Sequence, residues 1–268
     1  MLVEGGMIEE NLRRAEEMVR KGRREHCQVI VLPECLDTGW TDPSARQLAR
    51  PIPGETSNRL CQAAKDNGIM VVAGLTELYG RRIYNSAVLI EETGDILLKH
   101  RKINVLEIAQ DLYSIGNILS VAETRFGLVG VNICADNFQD SLAIGHVLAR
   151  MGAHFIFSPS AWAVKADHDN TEKPYGEEWR KSYTQLGKLY RITVVGVSNV
   201  GWLTAGPWKG RKAIGCSLAV GPGGEILAQG PYGSDAEALI TITLQARSRD
   251  VKGTEYRQYL KERAYTGP

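Results

Sequence analysis

The sequence predicts an α/β fold, and three patterns carry the reading. Segments of helical period alternate with short apolar runs along the chain. The apolar runs have the length of buried strands, about four to eight residues, and Gly, Pro or polar residues bound them. A Gly-rich turn, Gly221-Pro222-Gly223-Gly224, joins two such runs near the carboxyl end.

Taken in order, Glu9–Arg24 sets Leu12, Ala15, Met18 and Val19 at helical spacing with charges elsewhere, and Val29–Leu32 follows as a short strand. Ser57–Asn67 is a second helix with Leu60, Ala63 and Ala64 on one face. Ile69–Leu75 is a strand, and Tyr84–Glu91 and Ile96–Arg101 read as a pair around Thr93-Gly94. Gly127–Ile133 is an apolar strand that ends at Cys134. Helix Ser141–Met151, strand Ala153–Ser158, helix Glu178–Tyr190 and strand Thr193–Ser198 continue the alternation. Ala213–Val220 and Ile226–Gln229 flank the Gly-rich turn.

The chain has 268 residues, 43% hydrophobic and 24% charged, which supports a sizeable core. No linker, repeat or low-complexity stretch interrupts it, so residues 1–268 read as a single domain. The opening Met1-Leu2-Val3-Glu4-Gly5-Gly6 suits only the last part of a strand, so the first strand is expected to be truncated, at a cost in stability. The formal net charge is +1, from 32 basic and 31 acidic residues, which leaves no electrostatic footprint for nucleic acid or an anionic membrane. No apolar run approaches the ~20 residues of a bilayer span. Five cysteines without a CxxC pair read as reduced thiols in a cytoplasmic protein. Scattered histidines give no metal motif.

Three short stretches have chemical potential. Glu34 in Val31-Leu32-Pro33-Glu34-Cys35 follows a strand, at the strand end where open α/β sheets place their sites; alone it also suits a solvated loop. Lys99-His100-Arg101-Lys102 also suits a solvated face. Cys134 in Val131-Asn132-Ile133-Cys134-Ala135-Asp136-Asn137 ends a strand, as a nucleophile or as a small core residue.

Their order changes the reading. Glu after a strand, His-Arg-Lys after a strand and Cys after a strand, together with Asn11-Leu12, Ile52-Pro53-Gly54, Val72-Ala73-Gly74, Tyr84-Asn85, Gly94-Asp95, Ser158-Pro159-Ser160-Ala161-Trp162 and Ser198-Asn199-Val200-Gly201, resemble the nitrilase superfamily of carbon–nitrogen hydrolases over the whole chain. The resemblance implies a four-layer α–β–β–α sandwich and a Glu-Lys-Cys triad falling on Glu34, Lys102 and Cys134. It implies Glu34 as general base, Lys102 and the Ala135 N–H as oxyanion donors, and Cys134 as nucleophile. It further implies a small-molecule substrate, no cofactor, and a homodimer or larger assembly.

Departures from the family pattern narrow the chemistry. Many members carry a second glutamate ahead of a Tyr/Phe-x-x-Gly ending, here Tyr113-Ser114-Ile115-Gly116; Glu107 is assigned to that place, with Asp111 as the other candidate. Ala135-Asp136-Asn137-Phe138 lacks the tryptophan of many nitrilases and the arginine of many omega-amidase-like members. A linear amide or N-carbamoyl substrate is therefore expected before a nitrile, and a catalytically impaired scaffold stands as the alternative class. Asp136 and Asn137 are expected to hold their loop by hydrogen bonds, Trp162 to line the pocket, and Glu177 and Trp179 to lie near it.

Overall fold

The protein's structure, a computed structural model, describes residues 1–246, 251–265 and 267. In chain order the elements are α1 (Ile8–Arg24), β1 (Val29–Val31), α2 (Ala45–Leu48), α3 (Glu55–Asn67), β2 (Met70–Tyr79), β3 (Arg82–Ile90) and β4 (Ile96–Arg101). Next come β5 (Val121–Thr124), β6 (Gly127–Val131), α4 (Ala143–Arg150), β7 (Phe155–Ser160), β8 (Ala163–Val164), α5 (Glu177–Tyr190) and β9 (Thr193–Ser198). The series closes with β10 (Val200–Trp202), β11 (Lys212–Ile214), β12 (Leu218–Val220), β13 (Ile226–Gln229) and α6 (Tyr256–Lys261).

Helix α1 forms where expected, with acids Glu9 and Glu10 in its first turn and Lys21, Arg23 and Arg24 in its last, each sign opposing the helix dipole. Helix α3 starts two residues before the expected Ser57, because Ser57 Oγ accepts from Gly54 N–H at 2.9 Å and draws the preceding turn into the helix. It stops at Gly68, whose φ of +57° suits glycine.

Two sheets face each other. One runs β1-β2-β3-β4, with β1 parallel to β2 and the rest antiparallel. The other runs β13-β12-β9-β7-β6-β5, with a parallel centre of β9, β7 and β6. The two-residue period of the strands sorts their side chains by layer. In β2, Met70 and Val72 point inward and pack with Ala87, Leu89, Val129, Val131, Phe155 and Phe157 between the sheets. Val71 and Ala73 point outward beneath Leu12, Ala15, Val19, Leu60 and Ala64 of α1 and α3. On the far side Leu148 and Leu186 of α4 and α5 cover Ile156, Val194, Leu218 and Val220. The result is the four-layer α–β–β–α sandwich.

Where the elements differ from expectation, the reasons are local. The expected strand Ala213–Val220 is two strands, because Gly215 and Cys216 both take positive φ (+65° and +57°) and turn the chain from the small sheet β10-β11-β8 into the six-stranded one. Strand β7 lies two residues later than expected, since Ala153 N–H still bonds Leu148 O at the end of α4 and pairing with β9 continues to Ser160. The short elements α2, β5, β8, β10 and α6 carry too few residues to show a period. At the amino end, Val3 N–H donates to Val200 O at 3.1 Å and Val200 N–H to Met1 O at 3.0 Å, so residues 1–3 pair with β10.

Candidate active site

Glu34 stands just past the end of β1, where Leu32 N–H still bonds β2 at Val72 O. Its backbone N–H donates to Ser160 O at 3.2 Å, which ties it to the end of β7 across the sandwich. On its other side runs Gly74 of β2; a Cβ there would lie 2.5 Å from Glu34 Cα and 2.8 Å from Pro33 O. Only glycine lets the two backbones approach this closely, which gives the Val72-Ala73-Gly74 stretch its physical reason.

Strand alternation resolves the basic run Lys99-His100-Arg101-Lys102. Lys99 and Arg101 point one way and both pair with buried Glu77, Lys99 Nζ to Oε1 at 2.6 Å and Arg101 Nη2 to Oε1 at 2.7 Å. His100 and Lys102 point the other way and are 2% exposed. Lys102 Nζ donates to Glu34 Oε1 at 2.7 Å, and Asn85 Nδ2 of β3 donates to the same oxygen at 2.6 Å. The lysine backbone is clamped: its N–H bonds Asn85 O at 2.8 Å and its carbonyl accepts from Gly116 N–H at 2.8 Å.

Cys134 opens a 3-10 turn, Cys134–Asn137, straight after β6, with φ +44°. A non-glycine residue in the left-handed region is strained, and such strain persists where its surroundings fix it. Here they do. Cys134 N–H donates to Ser158 Oγ at 3.1 Å, and Asn137 Nδ2 donates to the same hydroxyl at 2.9 Å and to Cys134 O at 3.3 Å. Buried Asp136 accepts from His100 Nε2 (2.8 Å), Ile133 N–H (2.9 Å), Ile103 N–H (3.1 Å) and Asn104 N–H (2.7 Å). Asn104 Nδ2 in turn donates to Ala135 O at 2.7 Å. Asp136 and Asn137 thus act as the framework of the loop, tying the cysteine turn to the lysine strand.

The electrostatics follow from burial and these neighbours. Burial and the Glu34 carboxylate push the Cys134 thiol up to about 12, against the pull of Lys102 and of the Ala161 backbone N–H. Burial disfavours the Lys102 ammonium, yet Glu34 outweighs it and holds the lysine charged. For Asp136 burial is outweighed by His100, by the Asn104 N–H and by Lys102, so its carboxylate stays ionised below the usual range. One carboxylate, one ammonium and one protonated thiol therefore meet at the strand ends of both sheets.

The carbon–nitrogen hydrolase family model matches residues 6–252. The chain belongs to that family of enzymes. Among relatives of this hydrolase, a Pyrococcus abyssi protein named nitrilase is 32% identical over 241 residues, covering 88% of this chain and 84% of its own. The omega-amidase NIT2 of Xenopus tropicalis is 28% identical over 234 residues, 82% of this chain and 78% of its own. Among solved structures, Saccharomyces cerevisiae Nit3, a member of branch 10 of the nitrilase superfamily, matches with a TM-score of 0.73 at 25% identity, covering 87% of this chain and 83% of its own. A Helicobacter pylori carbon–nitrogen hydrolase shares the fold with a TM-score of 0.77 at 20% identity, over 86% of this chain and 83% of its own.

The hydrolase does not place every expected residue at this point. Glu107 is exposed, at the start of the 3-10 turn Glu107–Ala109, and no hydrogen bond or ion pair among the described residues joins it to Glu34, Lys102 or Cys134. The turn directs Ala109 into the core and leaves Glu107 outside. Asp111 is exposed too, and its backbone carbonyl accepts from Arg46 Nη2. Trp162 is 2% exposed and stacks on Trp179 at 4.9 Å, 17° between planes. Trp179 Nε1 donates to Tyr175 Oη at 3.0 Å, and Phe138 stacks on Trp179, so these rings wall the cysteine side of the site. Glu177 is exposed.

Asn85, Ser158 and Asn104 were not singled out by the sequence. Asn85 had a signal in the Tyr84-Asn85 motif and Ser158 in the Ser158-Pro159-Ser160-Ala161-Trp162 motif; Asn104 had none beyond its nearness to Lys102. Among the described residues no cluster of His, Cys, Asp and Glu is arranged to hold a metal ion, and no helix is long and apolar enough to cross a membrane.

Proposed function

We propose that this hydrolase cleaves a linear amide through a thioester on Cys134. The observation that carries the reading is the fully buried Lys102–Glu34 hydrogen bond beside the Cys134 thiol. As the sulfur attacks the amide carbon, Glu34 takes the thiol proton, so no free thiolate has to form in a site that disfavours one. Lys102 Nζ donates to the developing oxyanion. The Ala135 N–H is the second donor: Cys134 O, on the same peptide, is held by Asn137 Nδ2, which directs the N–H to the opposite side. Glu34 then passes its proton to the leaving nitrogen, the carbon–nitrogen bond breaks and ammonia or an amine departs. Water, deprotonated by Glu34, attacks the thioester; the acid leaves and the thiol regains its proton. Glu107 is given no step.

Relatives bear the names omega-amidase and nitrilase, and a nitrile would add to the same thiol. The test is ammonia release from a panel of small amides, N-carbamoyl amines and nitriles, with wild type beside Cys134→Ala. Amide turnover that vanishes in the variant is expected. Turnover of nitriles alone, or activity retained by Cys134→Ala, would overturn the proposal.

A further inference from the structure

We infer that Tyr183 is a positioning residue for the nucleophile: its hydroxyl takes the Ser158 proton and so holds Ser158 as the acceptor of the Cys134 N–H. The inference goes beyond the proposed steps and rests on Cys134 as the reacting thiol.

A serine hydroxyl has one proton and two lone pairs. At Ser158 both lone pairs are occupied, by Cys134 N–H at 3.1 Å and by Asn137 Nδ2 at 2.9 Å. Its own proton needs an acceptor, and the residue is 0% exposed, out of reach of bulk water. The Ser160 hydroxyl donates to Ser158 O at 3.2 Å, so the Ser160 proton is already placed.

The register of the six-stranded sheet supplies the acceptor. Strands β7 and β9 run parallel with Ser158 opposite Gly196, so the two residues project from the same face. That face is the α5 side: Ile156 and Val194, two residues earlier on each strand, share a core cluster with Tyr183 and Leu186. A Cβ on Gly196 would lie 2.2 Å from Tyr183 Oη. The phenol oxygen thus fills the place of a side chain at 196, one strand spacing of about 4.8 Å from Ser158. The Ser158 and Ser160 hydroxyls both lie close enough to act on it. Tyr183 is itself 0% exposed, and its Oη forms no hydrogen bond of ordinary length and angle. An unmatched buried oxygen is costly. Rotation of the hydroxyls about their C–O bonds satisfies all three: Ser158 donates to Tyr183 Oη, Tyr183 to Ser160 Oγ and Ser160 to Ser158 O.

The consequence falls on the cysteine turn. Cys134 keeps its φ of +44° only because its surroundings hold it there. Without the phenol oxygen, Ser158 either buries an unmatched proton or turns and gives up one of the two bonds it accepts. Either change loosens the hold on the Cys134 N–H.

The experiment follows alkylation of Cys134 by iodoacetamide, read by mass spectrometry, with urea unfolding run on each variant. Tyr183→Phe keeps the ring and removes the acceptor. Its Cys134 rate is expected to fall about 10-fold, less than the ~100-fold of a full ångström's misplacement. Ser158→Ala should fall further, since Cys134 N–H and Asn137 both lose their acceptor. The double variant should be no slower than Ser158→Ala, because Tyr183 acts through Ser158. Gly196→Ala, whose Cβ would take the hydroxyl's place, should match Tyr183→Phe. On an amide that the enzyme hydrolyses, Tyr183→Phe should lower kcat and leave KM little changed. An unchanged rate in Tyr183→Phe would mean that the tyrosine only packs, and would overturn the inference. Losses that add in the double variant would overturn it too, since Tyr183 would not then act through Ser158. Should Ser158→Ala fail to fold, Tyr183→Phe and Gly196→Ala decide, and an unchanged rate in either overturns it. A wild-type Cys134 no more reactive than Cys27 and Cys61 would count against the proposed function instead. The inference then stands or falls on whether Tyr183→Phe still slows that residue.

Discussion

Lys102 Nζ and Glu34 Oε1 are 2.7 Å apart, one arriving from β4 and the other from the end of β1, with neither side chain more than 2% exposed. A pair so placed is costly to break from one side, because the remaining charge stays buried. Lys102→Met should therefore cost about 3–5 kcal/mol of stability. Pairing it with Glu34→Gln should restore part of that loss, since the stranded carboxylate is gone. Urea unfolding of the two variants checks this. A double variant no more stable than the single one would mean that the pair does not behave as a coupled unit.

Asn85 shares Glu34 Oε1 with the lysine. Asn85→Ala leaves Lys102 in place but frees the carboxylate to rotate. The expected result is a fall in kcat of about 10-fold or more with KM little changed, because a misaligned base is lost mainly in the transition state. Steady-state kinetics on an amide identified by the panel measure it. Loss confined to KM would instead place Asn85 against substrate.

The arrangement shows what the sequence disclosed and why it stopped there. Glu34, Lys102 and Cys134 each stand at or just beyond a strand end within a recognisable motif, and the structure brings the three together. Asn85 was hidden because its role depends on register: only the pairing of Ser86 with Arg101 sets it beside Lys102. Glu107 is the glutamate nearest to the place that the Tyr-x-x-Gly ending marks, near Ala109, and the sequence is silent on which side of the three-residue turn Glu107–Ala109 faces the core. The α/β class and the long elements were legible from period. The break between β11 and β12 was not, since Cys216 with its positive φ looks like any apolar residue in an apolar run.

Gly74 offers a sharper test of positioning. Its missing Cβ would sit 2.5 Å from Glu34 Cα, and backbone cannot yield as a flexible side chain does. Gly74→Ala should displace Glu34 and lower kcat by about 100-fold, the scale of an ångström-sized misplacement. Circular dichroism should still report a folded protein. Normal kcat in this variant would show that the close approach of β2 to Glu34 is not needed for catalysis.

Asp136 predicts a structural effect without a direct chemical one. Its four donors come from the lysine strand and the cysteine turn. Asp136→Leu leaves those donors buried and unmatched, and should cost about 1–3 kcal/mol or more. Asp136→Asn, which keeps one acceptor, should cost less. Thermal unfolding of both variants gives the order, and an equal cost would count against the hydrogen-bond account.

His146 is expected to make the hydrolase acid-sensitive at a place other than Glu34, Lys102 and Cys134. Its Nδ1 meets Tyr190 Oη at 2.7 Å and its Nε2 meets Tyr265 Oη at 2.9 Å, beneath the carboxyl-terminal segment. Burial, with a smaller contribution from Arg150, brings its pKa down to about 4. A free histidine binds a proton below ~6.5, so between that pH and about 4 the unfolded chain is protonated here while the folded one is not. Stability from this group is thus present above pH ~6.5 and lost as pH falls through the window, by an amount on the order of 1 kcal/mol after allowance for screening. Asp37 works in the opposite sense: burial pushes its carboxyl up to about 6, so its contribution grows as pH falls from that value. Comparing wild type with His146→Gln separates the two. The variant should be less stable at pH 7, where the tyrosine contacts change, yet its urea midpoint should fall less between pH 7 and pH 5. Parallel midpoint curves for the two proteins would show that His146 is not the group titrating in this range.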